Sequence, residues 1–319
     1  MSAPLVAVAD TVFPNLDLAE VALSKVNAKL QLASAATPEA ILDVARDADG
    51  LLVTYGQITA EVIDGLNNCK VIGRFGVGTD NIDLVAAAKA NIVVTYAPHY
   101  CADEVSDHAM AMLLALIRKI PYANKLVHNG RWEMKAVTPI SRIRGRTLGM
   151  IGLGHISQTM VSKAQAFGID VIAMDPYAAD DVFTGLDVKR VDFDELLATS
   201  DYIALHAPLT NETKNMFDAD AFGKMKSSAL LVNTARGPLV DVEALADALE
   251  AGEIGGAALD VLPVEPPPES SRLLGRDDVI LTPHTGFYSA DALLDLQTTV
   301  ATDVATVLSG GTPKYPITA

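Results

Sequence analysis

The stretch that decides the fold runs from Thr147 to Asp175 and reads TLGMIGLGHISQTMVSKAQAFGIDVIAMD. An apolar run, Thr147–Ile151, leads into the glycines of Gly152-Leu153-Gly154, then into a periodic segment closed by Gly168, and then into a second apolar run. This order predicts a strand, a tight turn, a helix and a parallel strand. Such a turn presents unpaired backbone N–H groups and a positive helix end, so it predicts a site for a pyrophosphate.

The ends of this motif indicate which dinucleotide binds. Gly152 and Gly154 allow a close backbone approach, whereas Ser157 stands where a third glycine is usual. Asp175 follows the second strand, where a carboxylate accepts hydrogen bonds from ribose hydroxyls and repels a 2′-phosphate. We therefore expect NAD as the cofactor and regard NADP as disfavoured; the alternative is that Asp175 only begins a turn with Pro176.

Short apolar runs alternate with amphipathic segments along most of the chain. The predicted strands of the first part are Leu5–Val8, Lys29–Leu32, Gly50–Val53, Val71–Phe75 and Ile92–Thr95. Those of the second part are Thr147–Ile151, Asp170–Met174, Tyr202–Leu205, Leu230–Asn233, Gly256–Leu259 and Val279–Leu281. Strands that alternate with helices predict parallel sheets covered on both faces.

The length of 319 residues and an apolar fraction of 50% suit two hydrophobic cores. A last amphipathic helix, Ala290–Leu308, is expected to cross back onto the first part. The predicted fold is α/β with two domains: a doubly wound Rossmann domain, residues 101–287, inserted in a flavodoxin-like substrate-binding domain formed by residues 1–100 and 288–319.

One long helix is predicted between the two strand-rich parts. The segment Asp103–Lys119 has helical periodicity and is stopped by Pro121. Its apolar residues exceed what one sheet needs to cover, so it is interpreted as a domain connector that also contacts a second subunit. The expected assembly is a homodimer.

Three ionisable residues follow strands of the second part. Arg236, Glu265 and His284 come after the predicted strands that end at residues 233, 259 and 281. The carboxyl ends of parallel strands share one edge of a sheet, so these side chains converge near the glycine turn. Arg236 can hold a carboxylate and polarise a C2 oxygen, His284 can exchange a proton with it, and Glu265 can orient the imidazole. Each has an ordinary alternative, as a surface ion pair, a loop charge or a packed histidine.

Composition argues against several other classes of protein. The formal net charge of −16 disfavours nucleic-acid and acidic-membrane binding. No apolar run is long enough to span a membrane, and the first residues do not resemble a secretion signal, so the cytoplasm is expected. Cys69 and Cys101 are interpreted as packing thiols, and no metal site is predicted.

Several strings in this order resemble the D-isomer-specific 2-hydroxyacid dehydrogenase family, and most closely its branch of phosphoglycerate dehydrogenases and C-terminal-binding-protein corepressors. The matching motifs are Gly152 to Ser157, Asp175, His206 to Thr210, Asn233 to Gly237, Ala258 to Val261 with Glu265-Pro266, and Thr282 to His284. They cover nearly the whole chain in the family's order. The resemblance implies that Arg236, Glu265 and His284 are the catalytic set.

The resemblance also implies the remaining site residues. The expected cofactor-binding residues are Gly152, Gly154, His155, Ile156, Asp175, His206, Ala207, Pro208, Thr213, Thr234, Ala235, Asp260 and Gly286. Within this set, Thr234 and Ala235 are expected at the nicotinamide ribose and Asp260 at the carboxamide. The expected substrate-binding residues are Tyr55, Val77, Gly78, Arg236 and His284.

The activity that follows is hydride transfer between NAD(H) and C2 of a small D-2-hydroxy or 2-oxo acid, with His284 as the acid or base. The alternative is an NAD(H)-gated interaction protein of the corepressor type, with incidental turnover; oxidation of phosphite or formate on the same fold is a weaker option. The sequence departs from the family at His155, often arginine, and at Phe287, often tryptophan. It does not indicate which acid is the substrate or in which direction the reaction runs.

Overall fold

A computed structural model describes residues 3–317 of the chain. The contacts between Cα atoms divide the chain into two compact units. The first unit combines Met1–Tyr100 with Ser289–Ala319, and the second is Cys101–Tyr288. The outer limits of the predicted first domain, residues 1 and 319, lie outside the described residues. Each unit contains one sheet with helices on both faces, so the predicted α/β class is confirmed.

The first unit is built from short strands and helices in alternation. Its strands are β1 (Leu5–Val8), β2 (Lys29–Leu32), β3 (Gly50–Val53), β4 (Val71–Arg74) and β5 (Val93–Thr95). Its helices are α1 (Asp17–Ser24), α2 (Pro38–Ala45), α3 (Ala60–Asp64), α4 (Leu84–Lys89) and, from the end of the chain, α12 (Ala290–Leu308).

The parallel strands of the first sheet lie in the order β5-β4-β3-β1-β2, which is the flavodoxin-like arrangement. One face is covered by α2, α3 and α4 around Ile41, Ile72 and Val94. The other face is covered by α1 and α12, which pack against each other. The expected return of α12 onto the first part of the chain is therefore confirmed.

The last described residues of the chain also join the first sheet. Residues Pro316–Ile317 form a short strand, β13, which pairs antiparallel with β5. The carboxylate of Asp303 on α12 is 4% exposed and accepts hydrogen bonds from the backbone N–H groups of Lys314 (2.8 Å) and Tyr315 (2.9 Å) and from the hydroxyl of Thr95 (2.7 Å). This buried carboxylate anchors the last residues to the sheet, which no local pattern around residue 316 indicates.

The second unit contains seven strands, one more than expected. They are β6 (Thr147–Ile151), β7 (Asp170–Met174), β8 (Lys189–Arg190), β9 (Tyr202–Leu205), β10 (Leu230–Asn233), β11 (Gly256–Leu259) and β12 (Val279–Leu281). The helices are α5 (Ala102–Ile117), α6 (Ile120–His128), α7 (His155–Ala166), α8 (Asp180–Gly185), α9 (Phe193–Thr199), α10 (Ala219–Lys224) and α11 (Val242–Ala251), with 3-10 turns at Met134–Val137 and Gly237–Leu239.

All pairings in the second sheet are parallel, in the order β12-β11-β10-β9-β6-β7-β8. If β6 is counted as strand 1, the strands from β8 to β11 have the Rossmann order 3-2-1-4-5-6, and β12 is added at the edge beyond β11. The unpredicted strand β8 has only two residues, both exposed, so it lacks the apolar run by which strands are recognised.

Helix boundaries follow side-chain caps. Thr37, Thr59, Asp83, Asp192, Asp218, Asp241 and Ser289 each accept a hydrogen bond from a backbone N–H in the first turn of the following helix. Pro121 does stop α5, but it also lies in the first turn of α6, where a missing N–H costs nothing. The helix that follows Pro121 was therefore missed.

Candidate active site

Six strands of the second sheet end side by side, because their last residues pair with one another across the sheet. The paired residues across this row are Met174, Ile151, Leu205, Asn233, Leu259 and Leu281. The next residue of each strand therefore lies at the carboxyl edge of the sheet, and these residues are Asp175, Gly152, His206, Thr234, Asp260 and Thr282. Five of the six belong to the predicted cofactor set, and the sixth, Thr282, lies two residues before His284.

The glycine turn after β6 has the backbone that the motif predicts. Gly152 has φ +87, and a Cβ there would lie 3.1 Å from the backbone of His206 and Ala207. A side chain at this position would push the turn away from the neighbouring strand. Gly154 is the N-cap of α7, and its α-carbon faces open space. His155 and Ile156 open the helix, so the predicted pyrophosphate residues lie at a helix N-terminus.

Asp175 is held in place by backbone N–H groups. One carboxylate oxygen accepts the N–H of Leu153 at 2.7 Å, and the other accepts those of Tyr177 and Ala178 at 2.8 and 3.0 Å. The turn with Pro176 therefore exists, but it does not exclude the cofactor role, because a carboxylate has about four acceptor positions. The contact with Leu153 ties the acidic residue to the glycine turn.

The segment after β9 carries four more predicted cofactor residues. The hydroxyl of Thr213 donates to the carbonyl of Pro208 at 2.7 Å and closes this loop. Ala207 is buried beside Gly152. His206 lies with Nε2 3.2 Å from the sulfur of Met160, and burial lowers the pKa of its imidazole to about 4. His206 is therefore neutral at physiological pH.

The residues after β10 form a tight corner. The amide of Asn233 donates to the carbonyl of Arg236 at 2.9 Å, and its oxygen accepts the N–H of Ala235 at 3.0 Å. The guanidinium of Arg236 donates to the carbonyl of Ala235 at 2.7 Å. A Cβ on Gly237 would lie 2.0 Å from the backbone carbon of Leu262, so the glycine lets this corner approach the segment after β11. The sequence motif contained Gly237, but its packing role was not predicted.

Glu265 and His284 form a direct pair. Nδ1 of His284 lies 2.8 Å from one oxygen of Glu265, and the other oxygen accepts the N–H of Leu262 at 2.9 Å. Partial burial raises the pKa of the Glu265 carboxyl. The hydrogen bonds from His284 and Leu262 together lower this pKa by more than burial raises it, so the net shift is downward. Because the carboxylate faces Nδ1, that nitrogen carries a proton and Nε2 is directed away from Glu265.

Asp260 organises the backbone around His284. It is 3% exposed, and its carboxylate accepts the hydroxyl of Thr282 (2.5 Å) and the N–H groups of Thr285 (2.9 Å) and Gly286 (2.8 Å). Its carbonyl accepts the N–H of His284 at 2.8 Å. His284 has φ +54, a left-handed conformation that costs about 1 kcal/mol and needs such anchoring.

The pKa of Asp260 reflects this environment. Burial by itself raises the pKa, but hydrogen bonds from His108, Thr282, Thr285 and Gly286 lower it to about 2. The side chain is therefore ionised at neutral pH although it is almost fully buried. His108 on α5 was assigned no role from the sequence, since a lone histidine within a helix pattern gives no sign of its distant partners.

The first unit presents a different kind of edge. Tyr55 follows β3 and is 43% exposed, and its backbone N–H donates to Asp10 at 2.7 Å. The same carboxylate accepts the N–H groups of Thr54 and Gly56 at 2.9 and 3.1 Å. Asp10 follows β1 and was not predicted as a site residue. One carboxylate thus fixes the whole turn after β3.

The glycine-rich loop after β4 contains Val77 and Gly78, which are partly exposed. Beneath it lies Arg74, which is 9% exposed and donates from Nη1 to the carbonyl of Phe75 at 3.0 Å. Gly76 has φ +152, and a Cβ there would lie 1.1 Å from that nitrogen. Glycine is favoured here because L side chains rarely adopt this backbone conformation, and the guanidinium of Arg74 fills the adjacent space.

The structure thus brings most of the predicted residues to two edges. The cofactor set and Arg236, Glu265 and His284 lie at the carboxyl edge of the second sheet, whereas Tyr55, Val77 and Gly78 lie at the carboxyl edge of the first. Residues 3–317 contain no group of three His, Cys, Asp or Glu side chains suited to hold a metal.

The carboxyl edge of the second sheet fits a dinucleotide. The turn at Gly152 is closed to any side chain by the neighbouring backbone, as a pyrophosphate cradle needs. The hydroxyl oxygen of Thr234 is buried without a hydrogen-bond partner among the described residues, at the position expected for the nicotinamide ribose. A buried polar atom of this kind is satisfied when a ligand with hydroxyl groups binds.

Comparison with known proteins agrees with this site. The model of the family described as D-isomer specific 2-hydroxyacid dehydrogenase, NAD binding domain, matches residues 110–286. The chain belongs to this family. The family expected from the sequence is therefore confirmed, and the matching model describes a NAD-binding domain.

Individual relatives carry several different names. The chain is 41% identical over 284 residues to D-3-phosphoglycerate dehydrogenase of Methanocaldococcus jannaschii, which covers 88% of this chain and 54% of that protein. It is 39% identical over 255 residues to hydroxypyruvate reductase of Thermotoga maritima, which covers 79% of this chain and 82% of that protein. The chain spans about half the length of the phosphoglycerate dehydrogenases that it matches.

A solved structure extends the likeness to both units. D-lactate dehydrogenase of Aquifex aeolicus, complexed with NAD and lactic acid, superposes with a TM-score of 0.87 at 27% identity and covers 96% of each chain. The predicted two-domain Rossmann arrangement is therefore confirmed. Within residues 3–317, every helix is too short or too polar to cross a lipid bilayer.

Proposed function

We propose that this protein is a NAD-dependent dehydrogenase that interconverts a small D-2-hydroxy acid and its 2-oxo acid. The observation that carries the proposal is the 2.8 Å contact between His284 and Glu265 at the edge that also holds the glycine turn and Asp175. An imidazole oriented by a carboxylate beside a dinucleotide site is suited to exchange a proton at an oxygen while a hydride is exchanged at carbon. Bound NADH would supply that hydride.

The catalytic set divides the work among three side chains. Glu265 holds the proton on Nδ1 of His284, so that Nε2 exchanges a proton with the C2 oxygen of the substrate. Arg236 pairs with the substrate carboxylate and polarises the same oxygen. The low pKa of Glu265 keeps it ionised near neutrality, so it does not itself take the proton from the imidazole.

We propose that the second unit, predicted as residues 101–287, binds NAD at the carboxyl edge of its sheet, through the residues that directly follow the strands. Asp175 would accept hydrogen bonds from the adenosine ribose and repel a 2′-phosphate, which favours NAD over NADP. The neutral imidazole of His206 adds no charge beside the cofactor. Asp260 would face the carboxamide, and Thr234 the nicotinamide ribose.

We propose that the first unit, predicted as residues 1–100 and 288–319, contributes Tyr55, Val77 and Gly78 to the substrate. Backbone N–H groups of the loop after β4 would receive the carboxylate, with the charge of Arg74 beneath them. Tyr55 would contact the side chain of the acid. The names of the relatives refer to acids with different side chains. The residues that contact this side chain therefore decide specificity.

A panel of 2-oxo acids tests the activity. Pyruvate, glyoxylate, hydroxypyruvate and its phosphorylated form are each offered with NADH and with NADPH. Oxidation of the cofactor is followed by the loss of the absorbance of the reduced nicotinamide. We expect turnover of at least one acid with a preference for NADH. Tight NADH binding without turnover of any acid, together with cofactor-dependent assembly, would instead support the corepressor-type alternative.

We also propose a homodimer formed through the second unit. Four apolar side chains near α6 are strongly exposed: Ile120 (55%), Val127 (48%), Trp132 (89%) and Met134 (76%). Exposed apolar groups concentrated in one segment are typical of a subunit interface. Light scattering after chromatography tests this, with Trp132→Ser together with Met134→Ser expected to give monomer. A wild-type monomer at micromolar concentration would exclude it. The proposed location is the cytoplasm, with no nucleic-acid or membrane partner.

A further inference from the structure

We infer that His108 is a positioning residue for the nicotinamide end of the cofactor, acting through Thr282 and Asp260. The inference rests on the proposed binding of NAD and adds to it a residue that no sequence motif contains. His108 lies in α5, outside the carboxyl-end loops, yet its ring reaches the loop that carries His284.

The hydrogen atoms in this chain of contacts can be assigned. The hydroxyl of Thr282 lies 2.5 Å from Oδ1 of Asp260, so its single hydrogen is directed to the carboxylate. The same hydroxyl oxygen lies 2.9 Å from Nε2 of His108 and must therefore accept. Nε2 of His108 carries a hydrogen, and the sequence of donors runs from the imidazole through the hydroxyl to the carboxylate.

These contacts leave a defined part of Asp260 available. Oδ1 accepts Thr282 and the N–H of Thr285, and lies 3.4 Å from Nε2 of His108, whereas Oδ2 accepts only the N–H of Gly286 among the described residues. Oδ2 thus keeps an acceptor position, as an amide N–H of a carboxamide requires. His108 fixes the orientation of the carboxylate that decides where this position points.

Packing gives the same result. A Cβ on Gly286 would lie 2.9 Å from Oδ2 of Asp260 and 3.5 Å from the ring of His108. The imidazole therefore makes a hydrogen bond at Thr282 and occupies the space beside Gly286, at the two ends of the segment Thr282–Gly286. A purely structural role would tie α5 to the sheet, whereas a positioning role affects the nicotinamide end alone.

The experiment separates these two roles by using two ligands. Calorimetric titration compares NADH with ADP-ribose, which has the adenosine and pyrophosphate groups but no nicotinamide. His108→Leu keeps the bulk of the side chain and removes the N–H, whereas His108→Gln keeps an N–H donor. Met112→Leu is the matched control, because the sulfur of Met112 on the same helix lies 3.8 Å from the hydroxyl of Thr282.

We expect His108→Leu to weaken NADH binding about tenfold and to leave ADP-ribose binding unchanged, since the acceptor at Thr282 loses its donor. His108→Gln should restore most of the loss, and Met112→Leu should bind both ligands like the wild type. Equal weakening of both ligands in His108→Leu, or no change in either, would overturn the inference. Wild-type protein that binds NADH no more tightly than ADP-ribose would overturn it as well. The proposed activity is tested by turnover and this inference by binding, so the two fail separately.

Discussion

The carboxyl edges of the two sheets are built from similar strands but differ in what carries their chemistry. At the edge of the second sheet the proposed working groups are side chains, above all Arg236, Glu265 and His284. At the edge of the first sheet the expected working groups are backbone N–H groups around Val77 and Gly78. The same arrangement of parallel strands can therefore support two kinds of site, one made of ionisable groups and one made of loop shape.

At each edge one carboxylate accepts several backbone N–H groups. Asp260 does this for the loop that contains His284, and Asp10 does it for the turn after β3 that contains Tyr55. In the second unit the carboxylate supports the loop that carries the proposed acid or base. In the first it supports only the path of the main chain. Substitutions should therefore affect turnover at the second edge and substrate affinity at the first.

The largest effect is expected from His284→Ala. Turnover should fall by about 10² to 10⁴, because proton exchange at the C2 oxygen is lost. NADH binding should persist, since the glycine turn and Asp175 are untouched. Steady-state kinetics and NADH titration measure the two quantities, with His128→Ala on the exposed end of α6 as the control. Turnover within threefold of the wild type would remove His284 from the mechanism.

A smaller effect concerns the choice of cofactor. Asp175→Ser should change the ratio of kcat/KM for NADH to that for NADPH by about 10², because the charge that repels a 2′-phosphate is removed while an acceptor remains. Asp170→Ser, at the exposed start of β7, is the matched control. An unchanged ratio would mean that Asp175 serves the turn alone and does not discriminate between the two cofactors.

The ionic anchor of the second edge makes stability depend on pH. The pKa of Asp260 is about 2 in the folded protein and about 3.9 in an unfolded chain, so its ionisation stabilises the fold at neutral pH by about 3 kcal/mol. This contribution is complete above about pH 5 and is lost as the pH falls through 4 toward 2. Asp260→Asn should be less stable than the wild type by at least that amount at pH 7, and the difference should shrink below about pH 4.

Urea unfolding of the two proteins without cofactor, at about pH 7, 5 and 3.5, measures this difference. Comparing the pair cancels the titration of the other acids, which both proteins share. A difference that stays constant over this range would show that the anchor of the second edge does not depend on the charge of Asp260.

The smallest effect is expected at the first edge. Asp10→Ala removes the acceptor of three backbone N–H groups and should loosen the turn that contains Tyr55. We expect KM for the oxo acid to rise about tenfold, with kcat within about threefold and NADH affinity unchanged. Asp64→Ala, at the exposed end of α3, is the control. A drop in kcat with unchanged KM would contradict the division of roles between the edges.

The same contrast explains what the sequence predicted. Most strands of both units were found with their observed bounds, because each is an apolar run between capped helices and glycine turns. The candidate residues could be placed at the carboxyl edge of the second sheet because they follow these strands closely and carry unusual chemistry. Asp175, Asp260 and the pair of Glu265 with His284 are of this kind.

Features that depend on distant partners were missed. Asp303, which anchors the segment before β13, contacts Thr95 across 208 positions, and Tyr55 is anchored by Asp10 across 45 positions. The contact of His108 with Thr282 spans 174 positions. A single aspartate or histidine within a helix or loop pattern has no local signature of such a partner, so only the folded structure identifies it.

The central claim is that a hydride passes between the nicotinamide and C2 of an acid. Reduction of the preferred 2-oxo acid with NADH deuterated at C4, followed by mass and NMR analysis of the product, tests it most directly. We predict one deuterium at C2 of a D-2-hydroxy acid, formed by the wild type and strongly reduced in His284→Ala. A product without deuterium at C2, or NADH oxidation without any hydroxy acid, would contradict the account.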